Sequence, residues 1–492
     1  MPRSVIAIPG RPSTGSLLWW FQGPAAEADA YTFELDGALL EAPPLLINLG
    51  AALTLASDSA TMLAACTYLL VTQHEDGESG APHKLCVRCK GQASNYAYAR
   101  TLPHSADGIN MVLASCFYKD NSNLLAATPI AHEFTPPENV PHLKMLSGDQ
   151  IYIDLKWGGR LPQPLEAPWD IYRAQWADDS FLSWMAYGGN LCLPDDHEYW
   201  NNYPSENRVG PISAFFKAPT QDVITQMAEA FLIYQATLNA DPAALLAALP
   251  GTPLNEAALR CFEFPGQHSE PRLHAQFSMF VLDTRTRRTA LEKFATVQQF
   301  TDPSWLRQVT EAIRSRTAPA LLVTSQSLFD RGGGPGGDSN LADYPAQFSE
   351  LWNAIWACEH ELLMLTGDIH WSRAQVFEHP ISHIRHFEVV SSALSRIHFG
   401  SSSHNLSHLG SQVKWEDKTI NALRIADSDE ECNYAVLHFS SHDSGLECAA
   451  RWWGVGKDGR HLPVNMTAGW RADLSTAFRF SPAMNNVVIT LH

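Results

Sequence analysis

Long apolar runs separated by turn residues are the first pattern along this chain. Four of them are continuous rather than alternating: GINMVLASC at 108–116, HLKMLSGDQ at 142–150, ALLVTSQS at 320–327 and LLMLTGDIH at 362–370. Continuous apolar runs are typical of strands that are buried on both faces, as in parallel sheets. Each run ends in small or polar residues, and α/β proteins bind ligands at the carboxyl ends of such strands.

Helical periodicity appears between these runs, and β-type patterns lie on either side of them. Apolar residues recur at helical spacing in DVITQMAEAFLIYQATL (222–238) and QFSELWNAIWACEH (347–360). Alternating strands and helices predict a layered α/β domain. Residues 1–105 read as short strands and predict a β-sandwich-like accessory domain. The second predicted domain spans 109–492, with a helical insertion at 216–265 and a β-rich part at 400–492.

Composition and charge narrow the class of protein. The chain has 492 residues, 45% of them hydrophobic, and a formal net charge of −18. This charge argues against nucleic acid as a stable partner, whereas bound cations would offset it. No apolar run reaches the roughly 18 residues of a membrane span. No signal peptide is visible, so we expect a cytoplasmic protein, with a removed leader as the alternative. The oligomeric state is not predicted.

Cysteine usage and one glycine-rich segment leave alternatives open. The nine cysteines are odd in number and dispersed, which argues against a disulfide framework and favours a reducing compartment. Cys86 and Cys89, with His83, could be half of a zinc site, but we expect plain strand cysteines because no second CxxC string exists. The segment RGGGPGGDSN (331–340) lacks the ending of a phosphate-binding loop. It is either a flexible loop or a mobile rim of an active site.

Polar residues able to bind metals stand at the ends of the predicted strands. They are Cys116, Asp149 and Tyr152, the string DDHE at 195–198, Asp283 and Arg285, Ser325 and Gln326, and Asp368 and His370. Six such clusters in order are hard to explain as core residues. Carboxylates can bridge two cations, imidazole and phenolate suit transition metals, and a thiolate adds a soft ligand. The pattern predicts a binuclear metal site, in which two cations hold a hydroxide and clamp an in-line displacement at phosphorus.

A family resemblance follows from these motifs. The strings ASC, GDQIY, DDHEYWNN, LDTR, SQSLFD, DYPAQ and TGDIH occur in this order between about 109 and 400. Together they resemble the PhoD-type alkaline phosphatases and phosphodiesterases, a family of calcineurin-like metallophosphoesterases. The resemblance implies a calcineurin-like β-sandwich core flanked by helices and preceded by an N-terminal β-sandwich. It also implies a phosphoric ester substrate, and 216–265 looks like a family-variable insertion.

The resemblance implies a role for each matching residue. Asp149 would bridge two metals, and Cys116, Tyr152 and His370 would bind Fe³⁺ on one side. Asp196 and Asp368 would hold a second cation, implied to be Ca²⁺, with Zn²⁺, Mn²⁺ or Mg²⁺ as alternatives. The catalytic residues would be His197, beside the leaving group as an acid or phosphate contact, and Asn201 and Arg285, which would contact phosphate or support the second metal. Asn202 would brace its loop.

Neighbouring residues are expected to have supporting roles. Adjacent residues on a strand point to opposite faces. We therefore expect Asp195 to be a structural neighbour of Asp196 rather than a ligand, and Glu198 similarly. Ser325 and Gln326 lie either near the second cation or away from it. His379, His383 and His386, just beyond the last motif, are expected to be surface or packing residues.

The sequence is compatible with three functions. The leading one is metal-dependent hydrolysis of phosphoric esters, with monoesters and diesters not distinguished. The alternative is a non-catalytic binding or interaction protein on the same fold, since fold does not guarantee activity. A redox iron protein is a third idea, but the chain has no haem or iron–sulfur spacing.

Overall fold

The structure of the protein is a computed structural model. It describes residues 3–41, 45–74, 80–103, 107–118, 139–154, 168–204, 219–264, 278–291, 297–316, 318–328, 340–370, 372–379, 381–391, 393–395, 412–415, 418–428, 432–442, 445–455, 461–464, 467–468, 478–481 and 486–491. The glycine-rich segment at 331–340 lies outside these ranges except for Asn340, so the two interpretations of it stay open.

The N-terminal part of the chain forms two antiparallel sheets. Its strands are β1 (Ile6–Pro12), β2 (Ser16–Gln22), β3 (Tyr31–Leu35), β4 (Ala38–Leu40), β5 (Leu45–Asn48), β6 (Thr67–Gln73), β7 (Pro82–Cys89), β8 (Gln92–Ala93) and β9 (Ala97–Arg100). One sheet has the order β1-β2-β6-β5 and the other β4-β3-β7-β8, with β9 paired to β7. Trp19, Phe33 and Val87 belong to the apolar cluster that these sheets share. The β structure predicted for this region is therefore present.

The cysteines agree with the sequence interpretation. All nine are free thiols. Cys86 and Cys89 are both buried on β7. Because these two residues are three positions apart on one strand, their side chains point to opposite faces of the sheet. They therefore do not form one side of a zinc site.

Eighteen further strands and nine helices are described. The strands are β10 (Ile109–Phe117), β11 (Leu143–Ser147), β12 (Gly189–Leu193), β13 (Cys261–Phe264), β14 (Met279–Leu282), β15 (Ala320–Gln326), β16 (Leu362–Gly367), β17 (Ser372–Glu378), β18 (Arg385–Val390), β19 (Ala393–Ser395), β20 (Gln412–Trp415), β21 (Lys418–Ser428), β22 (Asn433–His442), β23 (Gly445–Val455), β24 (His461–Pro463), β25 (Thr467–Ala468), β26 (Phe478–Ser481) and β27 (Asn486–Leu491). The helices are α1 (Leu49–Ala52), α2 (Asp58–Ala65), α3 (Pro168–Trp176), α4 (Asp179–Met185), α5 (Gln221–Tyr234), α6 (Pro242–Ala247), α7 (Glu256–Arg260), α8 (Pro303–Ser315) and α9 (Pro345–Ala357).

Helix starts follow local sequence signals. At α8, the Asp302 carboxylate accepts a hydrogen bond from the Ser304 backbone N–H at 2.8 Å, and Pro303 occupies the first turn. An aspartate cap satisfies a backbone donor that the helix itself cannot, and proline at this position removes another. Proline also begins α9. None of the described helices combines the length and the hydrophobicity that a bilayer crossing requires.

Two large mixed sheets form the centre of the structure. The first has the order β12-β11-β10-β22-β23-β27-β26, with β19 beside β10 and β24 beside β23. The second has the order β13-β14-β15-β16-β18-β17-β21-β20, with β25 beside β21. Strands β10, β11 and β12 are mutually parallel, and so are β14, β15, β16 and β18. The C-terminal β-rich part thus contributes strands to both sheets.

The two sheets are layered between helices. Leu113 of β10 and Leu365 of β16 belong to one apolar cluster, which joins the facing sides of the sheets. The alternate residue Val112 packs in a second cluster with α5, and Met364 packs in a third with α8 and α9. Both faces of each parallel strand are therefore buried, which accounts for the continuous apolar runs in the sequence. The chain is a mixed α/β protein.

Candidate metal centre

Strained backbone marks the edge where the parallel strands end. Of the nine non-glycine residues with positive φ in the described part of the chain, five lie here. They are Cys116 at 54°, Asp149 at 55°, Asn202 at 65°, Asp368 at 68° and His370 at 55°. Left-handed backbone at a non-glycine residue costs on the order of 1 kcal/mol or more and is concentrated at functional sites. Four of these five residues are predicted metal ligands.

Glycines allow the strand ends to approach closely. A Cβ atom added to Gly148 would lie 2.4 Å from the Cβ of Asp195, and Gly148 itself has a φ of 97°. A Cβ at Gly367 would lie 2.5 Å from Ser147 Oγ. A larger residue would not fit at either position, because Asp195 fills the space beside Gly148 and Ser147 fills the space beside Gly367.

One group of potential ligands mixes soft and hard donors. Atoms of Cys116, Asp149 and His370 lie within 4.8 Å of one another. Cys116 Sγ is 3.6 Å from Asp149 Oδ2. Burial and then the nearby Asp149 charge raise the pKa of Cys116 well above that of an ordinary thiol. The Tyr152 hydroxyl oxygen is buried beside them and has no hydrogen-bond partner of normal geometry among the described residues.

A second group consists of carboxylates only. Oxygen atoms of Asp149, Asp195, Asp196 and Asp368 lie within 4.8 Å of one another. Burial, followed by the charges of Asp196 and Asp195, raises the pKa of Asp149 well above its usual range. Four carboxylates so close together repel one another unless protons or cations balance them. Asp149 belongs to both groups and also to a third, with Asp196 and His197.

Asp195 differs from its sequence-based expectation in one respect. Strand alternation predicted that only one of Asp195 and Asp196 would face the ligand cluster, yet both carboxylates are in it. The reason is that β12 ends at Leu193 and a 3₁₀ turn begins at Asp196, so alternation no longer applies. Asp195 also contacts residues outside the cluster. Asp195 Oδ1 accepts hydrogen bonds from Arg285 Nε at 2.6 Å and Ser325 Oγ at 3.3 Å.

Arg285 is fully buried below the ligand cluster. Besides its ion pair with Asp195, Arg285 Nη1 donates to the Tyr203 carbonyl at 2.8 Å, and its backbone N–H donates to Asp283. The family resemblance implies either a phosphate contact or support of the second cation for this residue. Its guanidinium has no exposed surface and contacts the Asp195 carboxylate of the cluster. The predicted Asn201 is exposed, and its neighbour Asn202 donates its backbone N–H to Asp196.

His197 pairs with Asp154, which was not among the residues predicted from the sequence. The ring Nδ1 is 2.8 Å from Asp154 Oδ1, and the ring lies 4.1 Å from that of Tyr152 between centroids. Its backbone N–H donates to Asp149 Oδ1 at 3.0 Å, so the imidazole is at the edge of the ligand cluster. Burial alone lowers the pKa of His197, but the charges of Asp154 and Asp196 outweigh burial and raise it to about 9. Asp154 lies five residues after Asp149 in the string GDQIYID. This closeness in sequence to a predicted ligand is the feature that could have indicated it.

Glu198 holds two loops of the site together. Its Oε2 accepts the backbone N–H groups of Asp149 at 2.9 Å and Asp195 at 2.8 Å, and its Oε1 accepts that of Gln150 at 2.8 Å. Gln235 adds a side-chain hydrogen bond to Oε1 at 3.2 Å. Burial raises the pKa of Glu198 to about 7, although these hydrogen bonds act to lower it. The supporting role expected for Glu198 thus has a specific form.

Comparisons with known proteins support the fold through solved structures and not through sequence families. No family model and no curated protein matches the sequence. The solved structure of PhoD is similar to the chain, with a TM-score of 0.58 and 16% sequence identity. The similarity covers 94% of this chain and 92% of that one. The protein therefore has a fold like that of PhoD, and at this identity the likeness concerns the fold alone.

Proposed function

We propose that the protein is a metal-dependent phosphoric ester hydrolase, related to the PhoD-like members of the calcineurin-like metallophosphoesterases. One observation carries the proposal: Asp149 belongs both to a group with Cys116 and His370 and to a group of four carboxylates, and the ligand atoms within each group lie within 4.8 Å of one another. Clusters of this kind suit two cations that share one ligand. The PhoD-like fold supports the same conclusion.

The residues present fit two different cations. Cys116, Tyr152, His370 and Asp149 would hold Fe³⁺, since the buried Tyr152 oxygen has no described hydrogen-bond partner and a phenolate suits a hard trivalent ion. Asp149, Asp196 and Asp368 would hold Ca²⁺ or another divalent ion such as Zn²⁺, Mn²⁺ or Mg²⁺. When bound, the two cations would supply Lewis acidity toward the phosphoryl group and its attacking water.

The remaining residues orient and protonate the substrate. Asp154 fixes the ring of His197 through Nδ1, which leaves Nε2 as the atom that can give a proton to the departing alkoxide. The neighbouring charges of Asp154 and Asp196 raise the pKa of His197 and so favour the protonated ring. Asn201, exposed at the start of the adjoining loop, would contact phosphate oxygens. In this scheme residues 109–492 form the catalytic domain and 1–105 an accessory domain.

Asp149→Asn tests the proposal. The purified full-length protein is analysed for bound metals and assayed with p-nitrophenyl phosphate and its bis ester. We expect the wild type to hold two metals and to hydrolyse at least one substrate. The variant should lose metal and orders of magnitude of activity because an anionic ligand is removed. Asp302→Asn, which changes only the cap of α8, is the matched control and should behave like the wild type.

Two results would contradict the proposal. Full metal content and full activity in Asp149→Asn would rule out this residue as a shared ligand. A wild-type protein that binds both metals but hydrolyses neither ester would favour the non-catalytic alternative.

A further inference from the structure

We infer that Gln326 and Arg288 form a positioning relay for the carboxylate of Asp368. Gln326 Nε2 donates a hydrogen bond to Asp368 Oδ2 at 3.0 Å. Arg288 Nη2 in turn donates to Gln326 Oε1 at 2.6 Å. The inference rests on the proposed function, because Asp368 is one of the carboxylates that would hold the divalent cation.

The relay sets the direction of the glutamine amide. An amide has a donor end and an acceptor end, and without a constraint it can turn either way. A guanidinium offers only donors, so Arg288 selects the amide oxygen and directs the amide N–H toward Asp368. An ionised carboxylate can only accept, so all three groups are matched in this one orientation.

Both ends of the relay are fixed by their surroundings. Arg288 is buried, its Nε donates to the Thr284 carbonyl at 3.0 Å, and its guanidinium lies 5.6 Å from the centre of the Tyr344 ring. At the other end, Gln326 is the last residue of β15 and pairs with Gly367 on β16, directly before Asp368. Strand pairing and arginine packing together hold the amide in place.

The amide gives Asp368 a different environment from Asp195. Arg285 binds Asp195 directly at 2.6 Å, so that carboxylate is balanced by a buried positive charge. Asp368 instead accepts a hydrogen bond from the neutral Gln326 amide, whose oxygen in turn accepts from Arg288. Asp368 is thereby oriented while it keeps its negative charge for a cation. The relay thus distinguishes a ligand from a brace within a single group of four carboxylates.

Cation titration of the full-length protein tests the relay. Calorimetric affinities for Ca²⁺ and Mn²⁺ are measured separately for the wild type, Gln326→Met, Arg288→Met and the double variant. Removing a group that hydrogen-bonds a metal ligand weakens metal binding roughly 10–100-fold, so we expect losses of that size in both single variants. The two residues act in series, so losing both should reduce cation affinity no more than losing one. The double variant should therefore bind each cation as tightly as the single variant with the lower affinity.

Gln347→Met is the matched control for losing a buried glutamine. The Gln347 side chain accepts the backbone N–H groups of Phe300 and Thr301 and has no contact with the ligand cluster in the described part of the protein. Its replacement should lower thermal stability and leave cation affinity unchanged.

The outcomes separate the relay from the proposed function. Wild-type cation affinity in a folded Gln326→Met protein would overturn the relay alone, and so would additive losses in the double variant. If Gln326→Met does not fold, Arg288→Met decides, because it removes the donor that sets the direction of the amide and leaves Gln326 in place. Weaker binding in that variant supports the relay and unchanged binding overturns it. A wild type that binds neither cation would overturn the proposed function and the relay with it.

Discussion

Replacement of Glu198 is the most informative perturbation of the site, because this carboxylate accepts three backbone N–H groups. In Glu198→Ala those three donors would be buried without partners. Each unsatisfied donor costs about 1–3 kcal/mol, so the total of roughly 3–9 kcal/mol approaches the whole stability of a typical protein. Glu198→Gln is the measurable variant, because its amide keeps the shape of the side chain and one accepting oxygen.

The expected effect of Glu198→Gln follows from which oxygen becomes an amide nitrogen. At Oε2 the nitrogen would face the N–H groups of Asp149 and Asp195. At Oε1 it would face the N–H of Gln150 and the amide of Gln235, which can turn to present its own oxygen. In the second arrangement only the Gln150 N–H loses its hydrogen-bond acceptor, so we expect the unfolding free energy to fall by about 1–3 kcal/mol.

The assay combines urea unfolding, followed by tryptophan fluorescence, with a Ca²⁺ titration. Glu198→Gln should also weaken cation binding, because it loosens the backbone that carries Asp149. Glu229→Gln is the control: Glu229 is another buried carboxylate and accepts hydrogen bonds from the Ser57 backbone N–H and hydroxyl. It should lose stability and retain cation affinity. Equal cation affinity in both variants would refute the role assigned to Glu198.

Three further predictions address the acid, the iron ligand and pH stability. His197→Ala should slow esters with poor leaving groups by ~10²–10⁴-fold and those with good leaving groups far less; equal losses in a kinetic comparison would mean that His197 gives no proton. Tyr152→Phe should bleach or shift the visible absorption of the oxidised, iron-loaded protein, with Cys116→Ser measured beside it, and an unchanged spectrum would exclude a tyrosinate ligand. Burial lowers the pKa of His386 to about 3, so below pH 6.5 the unfolded chain binds a proton that the folded protein does not. Stability should therefore fall by about 2 kcal/mol between pH 7 and pH 5, and this part of the loss should be absent in His386→Gln.

The central strands could be predicted because their cause is local. Strands β10, β11, β15 and β16 are buried on both faces, and a strand buried on both faces has a continuous apolar sequence. Asp149 and Asp368 could be selected as candidates because each follows a buried parallel strand, one in each of the two large sheets, and ligands bind at the carboxyl ends of such strands. Gln326 was among the candidates at the strand ends, whereas Asp154 and Arg288 were missed because their contacts join distant parts of the chain.

Burial of Arg285 and the direction of Asp195 could not be derived from the pattern. Arginine is usually exposed, and only a carboxylate that is 90 residues away in sequence makes its burial tolerable. The direction of Asp195 depends on where β12 ends, and element boundaries are what sequence patterns locate least well. Both facts are tertiary, so they follow only once the strands have been assembled.

The pairing of β10 with β22 has a consequence for synthesis of the protein. Ile109 pairs with Phe439, so 330 residues must be translated before one edge of β10 finds its partner. At roughly 5–20 residues per second this interval is on the order of 20–60 s. Throughout it, an apolar strand with unpaired backbone groups is open to association with other nascent chains. Cys116 lies near the end of this strand, so ribosome-bound chains that stop before β22 should lack an ordered metal centre and depend on chaperones.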